Sequence, residues 1–259
     1  MYHPFSIGET IRTAWDVIKK NYISLIVYSI ISLICYEVIS FISNFIMVYD
    51  NMYSKIAFIL FMMLIQSYLA LSFYKLILTL IDREYYEFEF RDIVPSFRMA
   101  LSCVTIGIAY TFFIGSIIFI NFLLRDRPEI TNILDKVEII GVGYLLIRSI
   151  FCLCFIVDDD SAPFESLRQS FAITRNNFFK IIALILIVLA FVALLLLIIN
   201  LIITLFFDMD SESSGYAIKV AGILWFAISF PTVQVMIMAT YRKLVYSYKD
   251  EDDNVSEAL

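Results

Sequence analysis

The sequence predicts an all-α, polytopic membrane bundle of about six transmembrane helices, with amphipathic helices at the interface. Three observations predict it. Of 259 residues, 61% are hydrophobic and 17% charged, against about 45–50% and about 25% in soluble globular chains. The excess lies in six long continuous runs and not in short alternating stretches. Each run reaches the roughly 20 apolar residues that cross about 30 Å of hydrocarbon at 1.5 Å per residue.

The chain opens on residues 1–22, where Glu9, Arg12, Asp16, Lys19 and Lys20 fall at helical spacing. This is no signal-peptide core, so the first apolar run is expected to remain as a membrane helix. Ser6 and Glu9 have capping-box spacing. Ile7, Ile11, Ala14, Trp15, Ile18 and Tyr22 share a face, as in a helix lying at a membrane surface. The apolar runs follow at roughly 23–49, 56–81, 100–124, 138–157, 178–207 and 216–246. Short polar connections join them at 50–55, 125–137 and 208–215, and longer Arg-containing ones at 82–99 and 158–177. The stretch 84–90, alternating acids with aromatics, reads as an interfacial loop. Pro231 in the sixth run is expected to kink that helix. One membrane domain is expected over 1–248, with units at 5–81, 88–157 and 161–248, and an acidic, disordered tail at 249–259.

Orientation follows from the basic residues. Twelve Lys and Arg fall on the side of the N-terminus, the 82–99 loop, the 158–180 segment and the C-terminal end, and five on the opposite side. The positive-inside rule therefore places both termini in the cytoplasm.

The chain also repeats itself. ETIRTAWDVIKKNY at 9–22 and ESLRQSFAITRNNF at 165–178 match at Glu9/Glu165, Arg12/Arg168 and Asn21/Asn177, with Trp15/Phe171 a conservative pair. Each copy leads into an apolar run, and 91–103 occupies the equivalent place before the third with a weaker match. Three units are expected, each an interfacial helix followed by a helical hairpin. In the second copy Phe164, Leu167, Phe171, Thr174 and Phe178 form the stripe. Pro163 suits a first helical turn, capped by Asp160 or Ser161. Such helices either sense or organise lipid or a partner, or act as elbows that fix where hairpins enter.

These two segments resemble a broad group of bacterial multi-helix membrane proteins, including the membrane domain of the glycerophosphoryl diester phosphodiesterase family and related uncharacterised families. The resemblance rests on Pro163, Ser166, Leu167, Arg168, Ser170, Phe171, Thr174, Arg175 and Asn177. It implies a bacterial cytoplasmic (inner) membrane location and no particular activity. Nothing after Tyr248 is long enough to form a phosphodiesterase domain, so that chemistry is not carried over.

No enzyme is expected. The single histidine, His3, is too little for a His-ligated metal site, and no nucleophile elbow, P-loop or dinucleotide fingerprint occurs. Neither cofactor nor metal is expected. Asp158, Asp159 and Asp160 read as a solvated capping loop, and Asp208, Asp210 and Glu212 as a polar turn lacking calcium-loop spacing. Gly141 and Gly143 read as a close helix contact. Cys35, Cys103, Cys152 and Cys154 lie in apolar runs without a CxxC pair and read as small buried hydrophobes. The net charge of −6 gives no basic surface for nucleic acid.

Polar residues inside the runs are the remaining candidates, because an ionised group at mid-bilayer costs at least about 2.5–3.5 kcal/mol. Lys75 is close enough to its helix end to snorkel. Glu37 and Arg148 are expected at similar depth, as an interhelical pair that Gln66, Asn121, Asn200 and Gln234 extend into a polar network. That network reads either as a structural clamp or as a polar path. The expected function is a non-catalytic inner-membrane protein that organises or assists envelope or lipid components, with membrane lipids and other envelope proteins as partners. The alternative is a transporter or lipid- or solute-handling protein with a polar cavity around Glu37, Lys75 and Arg148.

Overall fold

A computed structural model describes residues 6–46, 51–82, 90–124, 127–206 and 212–256. Among these every regular element is a helix: α1 (Ile7–Ile46), α2 (Met52–Asp82), α3 (Phe90–Ile93), α4 (Phe97–Leu123), α5 (Pro128–Arg148), α6 (Cys152–Asp159), α7 (Pro163–Arg175), α8 (Phe178–Phe206) and α9 (Glu212–Ser256). The all-α bundle expected from the sequence is the one observed. Six stretches are long and apolar enough to cross a membrane: Ile7–Ser43, Met52–Asp82, Arg91–Leu123, Leu134–Asp159, Phe178–Phe206 and Tyr216–Val245. The expectations for His3, for 84–89 and for Asp208 and Asp210 fall outside the described residues.

The three expected surface helices meet their spans in three ways. The first is continuous with its span except at Asn21, whose backbone leaves helical geometry (φ −124°, ψ 18°). The Asn21 side-chain amide donates to the Val17 carbonyl at 3.1 Å, a local side-chain bond of the kind that competes with the helical ladder. The second, α7, is a separate helix, with Asn176 and Asn177 in the turn before α8. The third is absent as a separate helix. α4 begins at Phe97, where Ser96 Oγ accepts from the Met99 amide at 3.2 Å, and runs unbroken to Leu123.

Packing gathers the helices into two compact units. One contains α1, the end of α2 from Leu76, α8 from Phe179, and α9. Within it α1 lies along α9, joined by an ion pair between Glu9 and Lys243 at 3.4 Å. Asp82 and Arg242 form a second ion pair, and Trp225 Nε1 donates to the Val192 carbonyl at 3.2 Å. Glu9, expected in a capping box, is thus turned to α9. Pro231 is buried within α9, whose helical backbone continues past it to Ser256 and so beyond residue 249.

The other unit contains α2 up to Lys75 together with α3 to α7. Its fourth span is broken: α5 ends at Arg148, residues 149–151 turn, and α6 resumes at Cys152. Asp160, at φ 50° and ψ 35°, ends α6 in the left-handed region, its amide donating to the Phe155 carbonyl. This corrects the expectation that Asp160 or Ser161 caps α7. The residue preceding α7 is Ala162, which offers no side-chain cap, and Ser161 Oγ donates to Gln169 Oε1 at 3.0 Å. The close contact expected at Gly141 and Gly143 is also corrected. A Cβ at either meets nothing within 4 Å, whereas one at Gly107 would lie 3.0 Å from Met63 Cε.

Burial is uneven along the helices. In the second unit the buried residues lie within 67–75, 93–106 and 149–174, and among described side chains none between 107 and 148 is buried. In the first unit they concentrate in 10–29 of α1, 181–188 of α8 and 227–244 of α9. Each unit has one tightly packed end and one end whose large side chains, such as Ile118 and Leu205, point outward. Large exposed apolar surfaces are foreign to soluble monomers and fit helix ends bathed in lipid.

Candidate functional site

The repeated helix is the best-defined feature. In α7 the buried positions are Ser166, Ser170 and Thr174, spaced by four so that they form one ridge. Ser166 Oγ donates to the Pro163 carbonyl at 2.8 Å and Thr174 Oγ1 to the Ser170 carbonyl at 2.8 Å, so these hydroxyls are satisfied within the helix. Ser170 does more. Its Oγ donates to the Arg148 carbonyl at 2.7 Å and accepts from the Phe151 amide at 3.2 Å. It thereby bridges the two sides of the break between α5 and α6. Small residues on this face let α7 approach α4, α5 and α6 closely.

The same register recurs in α1. Thr10 and Ala14, aligned with Ser166 and Ser170, are fully buried, and Leu25 and Ile181 beyond the two joints are each 1% exposed. Thr10 Oγ1 donates to the Ser6 carbonyl at 2.9 Å. The aromatic stripe is not the packing face: Trp15 is 57% and Phe164 69% exposed. On each copy the outward face carries an aromatic between two cations, Arg12–Trp15–Lys19 and Arg168–Phe171–Arg175. Glu9 and Glu165 lie farther round, both exposed.

In the second unit a third cation joins this face. The Arg148 guanidinium carbon lies 5.2 Å from the Phe171 ring centre and 5.8 Å from that of Tyr144, within cation–π range. The Tyr144 ring in turn meets Phe178 at 5.4 Å, beside the joint at Asn177. Arg148 Nε is buried and has no hydrogen-bond partner among the described residues.

The other polar residues of the runs go separate ways. Lys75 Nζ donates to the Val94 carbonyl at 3.1 Å, between α3 and α4. Asn121 Nδ2 donates to Glu138 Oε2 at 2.8 Å and Asp135 Oδ1 at 3.3 Å, tying the α4–α5 hairpin. Glu37, Gln66 and Asn200 are exposed on α1, α2 and α8. Gln234, on α9, keeps a buried Oε1 with no partner among the described residues. Glu37 belongs to the first unit and Arg148 to the second.

Sequence reasoning found the repeat and its polar motif residues but missed the hydroxyl ridge, the Asp82–Arg242 pair and the role of Ser170. The signal for the ridge was present as small residues at spacing four. The break at 149–151 has no Gly or Pro to announce it.

The fold and these features define a multi-pass α-helical membrane protein. Comparison with protein-family models, curated proteins and solved structures finds no match.

Proposed function

We propose that this chain is a non-catalytic, multi-pass protein of the bacterial inner membrane, with both termini cytoplasmic, that organises lipid or other envelope components. The observation that carries the reading is the paired surface helix. Each copy spends its small residues on packing and turns an aromatic flanked by cations outward, at the joint where a span begins. That is the chemistry of a surface that holds headgroups or a neighbouring protein at the membrane boundary. The twelve-to-five bias of Lys and Arg supports the orientation.

The alternative, a lipid or solute transporter, draws on Arg148 Nε and Gln234 Oε1, two buried polar atoms with no partner among the described residues. Proteoliposomes carrying a fluorescent phosphatidylglycerol, read by dithionite quenching, separate the two. An organiser leaves transbilayer exchange at the rate of protein-free vesicles. Exchange about tenfold faster would overturn the organiser reading in favour of the transporter. Arg148→Gln should then slow it.

A further inference from the structure

The two outward faces share one spacing, an aromatic with a cation three residues before it and another four after it, and we infer that each is a binding site for the phosphodiester headgroup of an anionic phospholipid. The inference rests on the organiser reading and specifies what is organised. At 100° per residue, Lys19 and Arg12 fall about 40° and 60° to one side of Trp15, and Ile11 and Ile18 about 40° and 60° to the other. The apolar side opens on a groove of about 150 Å³ lined by Ile11, Trp15 and Ile18 of α1, Val188 and Phe191 of α8 and Met236 of α9. The first few methylenes of an acyl chain fit that lining, and the phosphate the lipid carries then lies on the cationic side of Trp15. An indole between the two is placed as interfacial aromatics are, apolar body toward hydrocarbon and polar edge toward headgroups.

Charge complementarity selects an anionic lipid. Among the described residues Arg12, Lys19, Arg168 and Arg175 make no side-chain ion pair or hydrogen bond, whereas Lys243 and Arg242 are paired. The acids of the first copy offset the stripe only in part. Glu9 is engaged by Lys243; Asp16 lies on the cationic side, about 40° round the helix from Arg12 and about 60° from Lys19, and leaves one net positive charge on Arg12, Asp16 and Lys19. In the second copy Ala172 replaces Asp16, and Arg148 is added above Phe171. The equivalent sites thus differ in strength: the second has three cations and, beside them, only the exposed Glu165 three residues from Arg168, a net charge one higher than the first, and is the tighter.

Quenching by brominated lipid tests this in detergent-solubilised full-length protein. With Trp225→Phe, emission reports Trp15 alone. Dibrominated phosphatidylglycerol should half-quench it at a mole fraction about fivefold or more below that of dibrominated phosphatidylcholine. That is the factor expected from roughly 1 kcal/mol for a headgroup-facing cation. Arg12→Gln with Lys19→Gln should remove the preference while leaving quenching by the zwitterionic lipid unchanged, which shows that the groove and fold persist. Lys20→Gln, on the far side of α1, should leave the preference intact. A Phe171→Trp reporter in a background lacking Trp15 and Trp225 should show the larger preference, lost with Arg168→Gln and Arg175→Gln. Glycerol phosphate at millimolar concentration should not compete, because the chain in the groove supplies part of the affinity. Equal quenching by the two lipids, or equal loss on neutralising Lys20, would overturn the inference while leaving the transbilayer-exchange result standing. Displacement by glycerol phosphate would assign the cations to a soluble phosphate and overturn the lipid assignment.

Discussion

Ser170 braces a break that the backbone itself crosses only by tight turns, Ile150 N–H to the Ile147 carbonyl at 3.4 Å and Cys152 N–H to the Ser149 carbonyl at 3.0 Å. With α5 ending at Arg148 and α6 starting at Cys152, its hydroxyl donates to one side and accepts from the other. Removing that hydroxyl deletes both of these bonds, at a cost of about 0.5–1.5 kcal/mol each. Ser170→Ala should therefore lower the midpoint of thermal unfolding, followed with a thiol-reactive dye on the buried Cys152 and Cys154. Ser166→Ala, which loses only a bond within its own helix, should lower it much less. Equal midpoints for the two variants would mean that the bridge contributes nothing. The aligned residue in the first copy is Ala14, and α1 has no break there to close. At this scale the sequence was partly legible. Arg12, Trp15, Arg168 and Phe171 could be placed on outward faces because an amphipathic pattern reports its own period. The ridge of Ser166, Ser170 and Thr174 could not be read as a packing face by the rule for soluble helices, which assigns the core to large apolar residues. In lipid the large residues have a solvent of their own, and small ones make the contacts.

The joint at Asn21 belongs to the scale of the element. A run from Ile7 to Ile46 has no Gly or Pro between Gly8 and its end, so nothing in propensity alone stops it from being one straight rod. The non-helical Asn21, with its amide on the Val17 carbonyl, divides a surface segment from a span. Asn177 stands at the equivalent joint before α8, where a two-residue turn separates α7 from α8. Asn21→Ala should return position 21 to the helical ladder and straighten α1. Spin labels at the exposed positions 16 and 34 would then approach the roughly 27 Å rise of an unbroken 18-residue segment, whereas the wild type gives a shorter distance. An unchanged distance would show that packing against α9, and not Asn21, sets the bend. The six spans were legible because hydrophobic length is a constraint the bilayer imposes directly. The third surface helix was not observed as a separate element. Ser96 starts α4, and no Asn stands within its first six turns to interrupt it, so the expected surface turn and the span form one helix.

Among the described residues burial falls off from one end of each unit to the other. In the second unit no described side chain between 107 and 148 is buried, although α4 and α5 meet there through Asn121 and Glu138. Mean hydropathy over the chain reaches +0.85, yet the most apolar window, in α8, is only 17% buried. A water-bathed protein would place its most apolar segment innermost, since burial stabilises by about 25 cal/mol per Å². Here that segment faces outward, and the closely packed ends carry the surface helices, the ion pairs and the bridging hydroxyl. Cysteines introduced at Ile118 and Ile139, which are 63% and 73% exposed, should thus resist a water-soluble maleimide in intact membranes and react once the membrane is dissolved in denaturing detergent. A cysteine at Arg168, exposed on the outward face of α7, should react before dissolution, on the proposed orientation when the reagent reaches the cytoplasmic side, and should be protected by added phosphatidylglycerol. Prompt labelling at 118 and 139 in intact membranes would mean that water covers those helix ends. The surface helices would then lose the boundary that gives their cation–aromatic faces a headgroup to hold.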